Sequence, residues 1–120
     1  MGYAVSKNEK AFDILVGTEL SSVEFVRDYL QLRFDGPCLN VLTDPVLTID
    51  NKEYKRIDFG FCDRLCQFIG KQVVVATIDK DKILLGFSEE RKIVISLKEE
   101  DRKTDEAAIF YANKDQWWVW

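Results

Sequence analysis

The feature of this sequence that most restricts its fold is a two-residue alternation of apolar and polar side chains in short stretches. Leu30, Leu32 and Phe34 alternate with polar residues, and apolar residues recur at the same spacing over residues 83–87. A period of two is typical of half-buried antiparallel strands, whose side chains point alternately to the core and to water. Turn-forming residues follow at 35–37, where the sequence is Asp-Gly-Pro. The pattern therefore predicts short antiparallel strands joined by tight turns.

Applied to the whole chain, the same patterns predict about seven to nine short strands and one or two short helices. Apolar residues at helical spacing predict a helix over residues 59–69, with Gly70 in the position of a C-terminal cap, and residues 7–16 are a second helix candidate. The last two strands, at 107–112 and 117–120, are expected to pair as a hairpin. The predicted fold is mainly β, an antiparallel β-sandwich or curled sheet with one or two short helices.

The chain is expected to form a single domain over residues 1–120, because 47% of its residues are apolar and no Gly-rich or Ser-rich linker divides it. A weak internal repeat aligns residues of about 15–43 with residues of about 68–97. Four identical pairs coincide in that alignment: Gly17 and Gly70, Asp28 and Asp81, Leu32 and Leu85, Phe34 and Phe87. The sequence thus predicts two similar β-rich halves, with chance agreement between two hairpins of like length as the alternative.

Histidine is absent from the sequence, and its absence removes several classes of function. Without imidazole the chain lacks the commonest general base, the commonest metal ligand and the base of serine or cysteine triads. The glycine-rich nucleotide-binding motifs are absent as well. The net charge of −4 and the isoelectric point near 4.9 argue against nucleic-acid binding through a basic surface. We therefore expect no enzymatic activity, no metal, no cofactor and no nucleic-acid partner.

The cysteines and the apolar runs bear on where the protein acts. The sequence has three cysteines, Cys38, Cys62 and Cys66, and the last two are spaced as on a helix and not as C-x-x-C. We therefore expect reduced, mostly buried thiols. The first ten residues have no apolar core of signal-peptide length, and no apolar run approaches the ~18 residues that cross a bilayer. We expect a cytoplasmic protein without membrane contact, as a monomer or weak dimer.

Two features suggest a surface for a protein partner. Residues 98–106 carry five acids and three bases between two predicted strands, which fits either a solvated loop or a patch that meets a basic partner. Trp117 faces away from Trp118 and Trp120 if the last segment is a strand, which would leave it partly exposed. The candidate partner-binding residues are Glu99, Glu100, Asp101, Asp105, Glu106 and Trp117.

Three features of the chain are considered together: its acidic, histidine-free composition, its two β-rich halves and its last two segments. The last two segments are Glu-Ala-Ala-Ile-Phe-Tyr at 106–111 and Trp-Trp-Val-Trp at 117–120. In this character the whole chain resembles the small β-rich immunity proteins of bacteria, which neutralise the toxins of contact-dependent growth inhibition and related competition systems. The resemblance implies a non-enzymatic protein that binds a cognate toxin, expected to be a basic nuclease, and covers its active site.

Three other functions stay open at this point. The main alternative is a carrier that encloses a small apolar ligand inside the sheet, lined by some of the eight Phe, four Tyr and three Trp. An enzyme that uses carboxylates alone would need a buried acid with a raised pKa, whereas the pairs Asp79–Asp81 and Glu89–Glu90 are expected at exposed turns. A structural subunit would form a homodimer with a large apolar interface.

Overall fold

Ten strands in two antiparallel sheets contain nearly half of residues 10–120, the part of the chain that the computed structural model describes. The strands are β1 (Leu20–Val26), β2 (Tyr29–Phe34), β3 (Cys38–Val41), β4 (Val46–Ile49), β5 (Lys52–Tyr54), β6 (Val73–Ile78), β7 (Lys82–Phe87), β8 (Arg91–Ser96), β9 (Ala108–Asn113) and β10 (Gln116–Val119). One α-helix, α1 (Phe61–Cys66), lies between β5 and β6, and 3₁₀ turns occur at Asp13–Leu15 and Glu99–Asp101.

The strands form two sheets of five. The first sheet has the order β1-β2-β3-β9-β10, the second has the order β5-β4-β8-β7-β6, and all neighbours are antiparallel. The prediction of a mainly β fold built as an antiparallel sandwich is confirmed. The strands outnumber the seven to nine that were predicted, in part because β5 has only three residues, too few for an alternating pattern to show.

The hydrophobic core lies between the sheets and is filled by large side chains. Phe12, Phe68 and Phe110 are completely buried. The rings of Phe12 and Phe110 lie 4.6 Å apart between centroids, and Phe68 meets Phe87 edge to face at 5.2 Å. Such ring pairs add to the favourable burial of apolar surface. The space between the sheets is therefore occupied by the protein's own aromatic groups.

The helix is shorter than the predicted segment 59–69. It begins at Phe61 because Gly60 has the left-handed φ of +81°, and turns follow it as far as Gly70. Of the second candidate, residues 7–9 lie outside the described residues, and the rest contains only the 3₁₀ turn. Among residues 10–120, no helical segment has the length and apolar content that a bilayer crossing needs.

The two halves of the chain build the sheets in the same way. The first half supplies the meander β1-β2-β3 to the first sheet, and the second half supplies β6-β7-β8 to the second sheet. Each half then sends its last hairpin to the other sheet, so that β4-β5 pairs with β8 and β9-β10 pairs with β3. Each sheet therefore contains strands from both halves.

The irregularities of the two meanders also coincide. The register between β1 and β2 shifts between Leu20 and Ser22, and that between β6 and β7 shifts between Val73 and Val75, which are the same positions plus 53. A β-bulge is a specific local feature that adds one residue to a strand. Its occurrence at matched positions extends the correspondence of the halves from strand order to register.

Hydrogen bonds where the halves meet follow the same offset. The amide of Gly17 donates to the carbonyl of Val73, and the amide of Gly70 donates to the carbonyl of Leu20, both at 2.8 Å. Each bond becomes the other when 53 is added to one residue number and subtracted from its partner's. The halves are thus related by an approximate two-fold arrangement, while their descent from a duplicated segment stays a prediction.

Candidate functional site

The acidic loop, residues 98–106, joins β8 of the second sheet to β9 of the first, and two of its three bases hold it in place. The guanidinium of Arg102 donates from Nη2 to the carbonyl of Leu97 at 2.8 Å and from Nη1 to the carbonyl of Asp105 at 2.8 Å. The ammonium of Lys103 lies 2.6 Å from a carboxylate oxygen of Asp44, in the connection between β3 and β4. These bases are therefore engaged inside the molecule and brace the loop.

The carboxylates of the loop divide into one that is engaged and four that are free. The Asp101 carboxylate accepts a hydrogen bond from the Ser96 hydroxyl and so ties the 3₁₀ turn to the end of β8. Of the loop's carboxylates, those of Glu99, Glu100, Asp105 and Glu106 have no hydrogen-bond or ion-pair partner among the described residues. The loop thus presents four free carboxylates from a braced backbone. Its net charge alone would suggest a smaller excess of acids, because it counts the two bases that are engaged within the protein.

The last strand places its tryptophans on opposite faces. Trp118 and Trp120 pack against the core, and the ring of Trp120 stacks on Phe12 at 5.4 Å between centroids. Trp117 lies on the outer face of the first sheet with 57% of its surface exposed, opposite Tyr111 of β9. The outer face beside β10 therefore offers an exposed aromatic pair.

Trp117 does not lie next to the acidic loop. The loop ends beside Trp120, whose carbonyl accepts the amide of Ala107 at 2.6 Å and whose amide donates to Ala108. Trp117 is three residues nearer the turn between β9 and β10, which corresponds to about 10 Å along a strand. The structure therefore groups the five acidic candidates in one loop and places the aromatic candidate on a separate face.

Two exposed apolar residues were not among the candidates. Ile57 and Phe59 are 90% and 101% exposed in the loop between β5 and α1, and we call this pair the apolar tip. The loop is ordered by a turn in which the Asp58 carboxylate accepts the Lys55 amide at 2.7 Å and the Asp58 amide donates to the Lys55 carbonyl at 2.9 Å. The apolar tip is therefore held in water by a defined turn.

The apolar tip was missed because the helical spacing assigned Phe59 to the predicted helix 59–69. A signal for the true boundary was present in Gly60, which directly precedes the apolar run. A β-carbon there would lie 2.3 Å from Nη1 of Arg64, the end of a flexible side chain that can move aside, so it is the left-handed φ that favours glycine here. Had the helix been started after this glycine, Phe59 would have been left in a loop.

The apolar tip and the acidic loop leave the same end of the second sheet. Both β5 and β8 pair antiparallel with β4, so they run in the same direction and finish at the same end. The apolar tip follows β5 and the acidic loop follows β8, and the ends of these two strands lie two strand spacings, or about 10 Å, apart. The segments that carry the apolar tip and the acidic loop thus leave the second sheet at the same end.

Among residues 10–120, neighbouring groups and burial shift the pKa values of Cys38, Arg33 and Glu89. Burial raises the pKa of the Cys38 thiol, with the nearby Arg33 guanidinium partly opposing the rise. A hydrogen bond to Glu24 raises the pKa of Arg33 further above its already high value. A hydrogen bond from Lys71 lowers the pKa of Glu89. These shifts follow from a half-buried thiol and two surface ion pairs. The prediction of mostly buried thiols was wrong, because Cys62 and Cys66 lie on exposed positions of the helix.

The paired carboxylates of the sequence lie at turns. The Asp79 carboxylate accepts the amides of Asp81 at 2.7 Å and of Lys82 at 2.9 Å, which caps the turn between β6 and β7. Glu89 and Glu90 form the turn between β7 and β8. Among residues 10–120, no cluster of three or more Cys, Asp or Glu side chains could hold a metal ion.

The clefts seen in the described residues open at the surface. One of about 400 Å³ lies beside the acidic loop and is lined by Asp79, Asp81, Lys82, Val94, Ser96, Lys98 and Asp101. A second of about 260 Å³ lies at the base of the apolar tip. A carrier would need its cavity between the sheets, where the aromatic rings already described are packed.

No family model matches this chain, and neither does any curated protein or solved structure. No residue role can therefore be carried over from a relative. The acidic loop, the apolar tip and Trp117 have to be weighed by their own chemistry.

Proposed function

We propose that this chain is a non-enzymatic immunity protein, which binds a cognate bacterial toxin and occludes its active site. The toxin is expected to be basic, as a nuclease that holds phosphate would be. The protein acts in the cytoplasm as a monomer or weak dimer, and needs no cofactor, nucleic acid or membrane. The observation that supports the proposal best is the acidic loop, which presents four free carboxylates from a braced backbone.

The bracing matters because an ordered loop loses little conformational entropy when it binds. A flexible loop of the same composition would have to be fixed at the moment of contact. Carboxylates held in one place also create a local negative potential, which speeds the encounter with a basic surface and disfavours acidic ones. The loop is thus suited to meet the Lys and Arg side chains with which a nuclease binds phosphate.

Trp117 has a smaller part in this proposal. It lies on the outer face of the first sheet, so a partner centred on the acidic loop would have to extend around the end of β10 to reach it. We expect Trp117→Ala to weaken toxin binding less than reversal of charge in the acidic loop. A larger effect of Trp117→Ala would move the centre of the interface to the outer face of the first sheet.

The proposal is tested with the product of the gene adjacent to the one that encodes this chain. Expressed alone in a bacterial host, that product should arrest growth, and co-expression of this chain should restore it. The two proteins should also purify as a complex. No toxicity, or no complex with a toxic product, would contradict the proposal.

The role of the acidic loop is tested by Glu99→Lys with Glu100→Lys, two acids that do not brace the loop. The matched control is Asp35→Lys with Asp115→Lys, which changes the net charge equally at turns on the opposite end of the sandwich. We expect the loop variant to lower the association rate at least about 10-fold at low salt and the control to lower it much less. Equal effects would show that only net charge matters.

A further inference from the structure

The apolar tip is exposed to a degree that the fold does not require. Ile57 and Phe59 are 90% and 101% exposed, whereas the other exposed large apolar side chains of the described residues are at most 57% exposed. Single exposed apolar residues are normal on protein surfaces. Two almost completely exposed ones, two positions apart in a short loop, form a projection that contributes no burial to the fold.

The loop that carries the apolar tip is anchored on both sides. The Phe61 amide donates to the Asp58 carbonyl at 3.2 Å, which continues the turn that begins at Lys55. The guanidinium of Arg56 lies 5.6 Å from the centre of the Phe61 ring, and its Nη1 approaches the sulfur of Cys62 at 3.6 Å. Contacts to the body of the protein thus fix the loop while its two apolar side chains point outward.

A concave surface lies directly behind the projection. The cleft of about 260 Å³ is lined by Arg56, Asp58, Phe59, Gly60, Phe61, Cys62 and Asp63. A partner that accepted the apolar tip could therefore place a side chain of its own in this cleft. Interlocking of this kind is typical of the central, well-packed part of protein interfaces.

The charges around the apolar tip favour a protein over a lipid surface. Lys55 and Arg56 balance Asp58 and Asp63 in the loop of the apolar tip, whereas the acidic loop, which leaves the same end of the sheet, is negative, and the net charge of the chain is −4. An anionic bilayer attracts clusters of Lys and Arg and repels such a surface. A basic protein with an apolar pocket complements both the carboxylates and the projection.

We propose that Ile57 and Phe59 are the apolar anchors of the docking surface, and that they enter an apolar pocket on the partner that is flanked by Lys or Arg. The acidic loop contacts the basic surroundings of that pocket. This inference rests on the proposed function, since it takes the partner to be a basic protein. Beyond the proposed function, it specifies the site that the partner must have, an apolar pocket flanked by bases, and the residues of this chain that fill it.

The test compares two variants in binding to the product of the adjacent gene. The first is Ile57→Ser with Phe59→Ser, and the matched control is Val16→Ser with Val74→Ser, which removes two half-exposed apolar side chains elsewhere. We expect the tip variant to keep the melting temperature of the wild type, because the side chains it alters are not buried. Its affinity should fall at least about 30-fold, as for interface hot spots, and that of the control by less than about 3-fold.

Four other results would overturn the inference. If the tip variant binds like the wild type while Glu99→Lys with Glu100→Lys weakens binding, the inference is wrong and the proposed function stands. If the wild type does not bind the product of the adjacent gene, both are wrong. If the wild type binds vesicles of phosphatidylglycerol and phosphatidylcholine through the apolar tip, the occupant is a membrane. If it sediments as a dimer that the tip variant turns into a monomer, the occupant is a second copy.

Discussion

The two halves of the molecule share a framework and differ most in the length of one connection. Between the meander and the exchanged hairpin, the first half uses the four residues 42–45 and the second half uses the eleven residues 97–107. The longer connection contains the acidic loop, and the ion pair between Asp44 and Lys103 ties the short connection to the long one. Loops on a rigid scaffold are where binding residues accumulate. The connection in which the two halves differ most in length is thus the one that contains the proposed binding site.

The halves also fill equivalent core positions with side chains of different size. In the second sheet Leu47 of β4 pairs with Tyr54 of β5, and in the first sheet Phe110 of β9 pairs with Trp118 of β10. Both hairpins take the same place, although one is lined by larger rings. The architecture therefore constrains which positions are apolar, while the volume at each position follows from its local neighbours.

The largest expected effect is a difference in stability loss between alanine substitutions in the two hairpins, β9-β10 and β4-β5. Phe110→Ala should lower the free energy of unfolding by about 3–5 kcal/mol, because it opens a cavity in the core and removes the ring contacts of Phe110 with Phe12 and Trp118. Leu47→Ala should cost less, about 2–4 kcal/mol. Urea denaturation measures both. A greater loss for Leu47→Ala would mean that the smaller hairpin carries more of the core packing than its side chains suggest.

The glycines that precede β1 and β6 should respond alike. Gly17 and Gly70 have φ of +94° and +87°, and a β-carbon at either would meet no atom within 4 Å. Alanine at each position should cost about 1 kcal/mol, from left-handed strain alone. Gly60→Ala should cost somewhat more, because the Arg64 guanidinium would also have to leave its place 4.3 Å from the centre of the Tyr54 ring. Unequal losses at Gly17 and Gly70, measured by urea denaturation, would break the correspondence of the halves.

The turns after β2 and β7 differ in a way that allows a stabilising change. The first half uses Gly36 at φ +105°, whereas the second places Glu89 and Glu90 at φ +63° and +58°. Glu90→Gly should raise the free energy of unfolding by about 0.5–1 kcal/mol, since glycine adopts this conformation without strain. Gly36→Ala should have the opposite sign. Thermal denaturation of both variants measures these changes, and a loss of stability in Glu90→Gly would contradict the prediction.

The smallest effect is expected from the ion pair that the second turn makes. The hydrogen bond from Lys71 lowers the pKa of Glu89 in the folded state. Its contribution is therefore present above the unfolded pKa of about 4.3 and is lost as pH falls through the lower folded value. Glu89→Gln should lose part of the stability difference between pH 7 and pH 3. Glu90→Gln is the control and should keep that difference.

Much of the framework could be predicted from the sequence. Strands β2 and β7 were predicted because Leu30, Leu32 and Phe34, and their counterparts later in the chain, recur with period two. The exchange of hairpins between the sheets could not be predicted in this way. Periodicity tells which face of a strand is buried, but the neighbour of a strand is fixed by long-range packing.

The candidate site was predictable only in part. The acidic loop was identified from its composition. The sequence did not show that Arg102 and Lys103 bind within the protein and leave most of the loop's carboxylates without a partner. The apolar tip was missed, because helical spacing extended across Gly60. That the apolar tip and the acidic loop leave the same end of the second sheet follows from the pairing of β5 and β8 with β4, which no local pattern encodes.

Hydrogen–deuterium exchange of this chain, alone and with the product of the adjacent gene, tests the central claim most directly. The account predicts slower exchange on binding in two segments, residues 55–60 and residues 97–107. The turns at residues 35–37 and 113–115, on the opposite end of the sandwich, should exchange at unchanged rates. Protection confined to β10 around Trp117, or to the opposite turns, would contradict the claim that the acidic loop and the apolar tip form the docking surface.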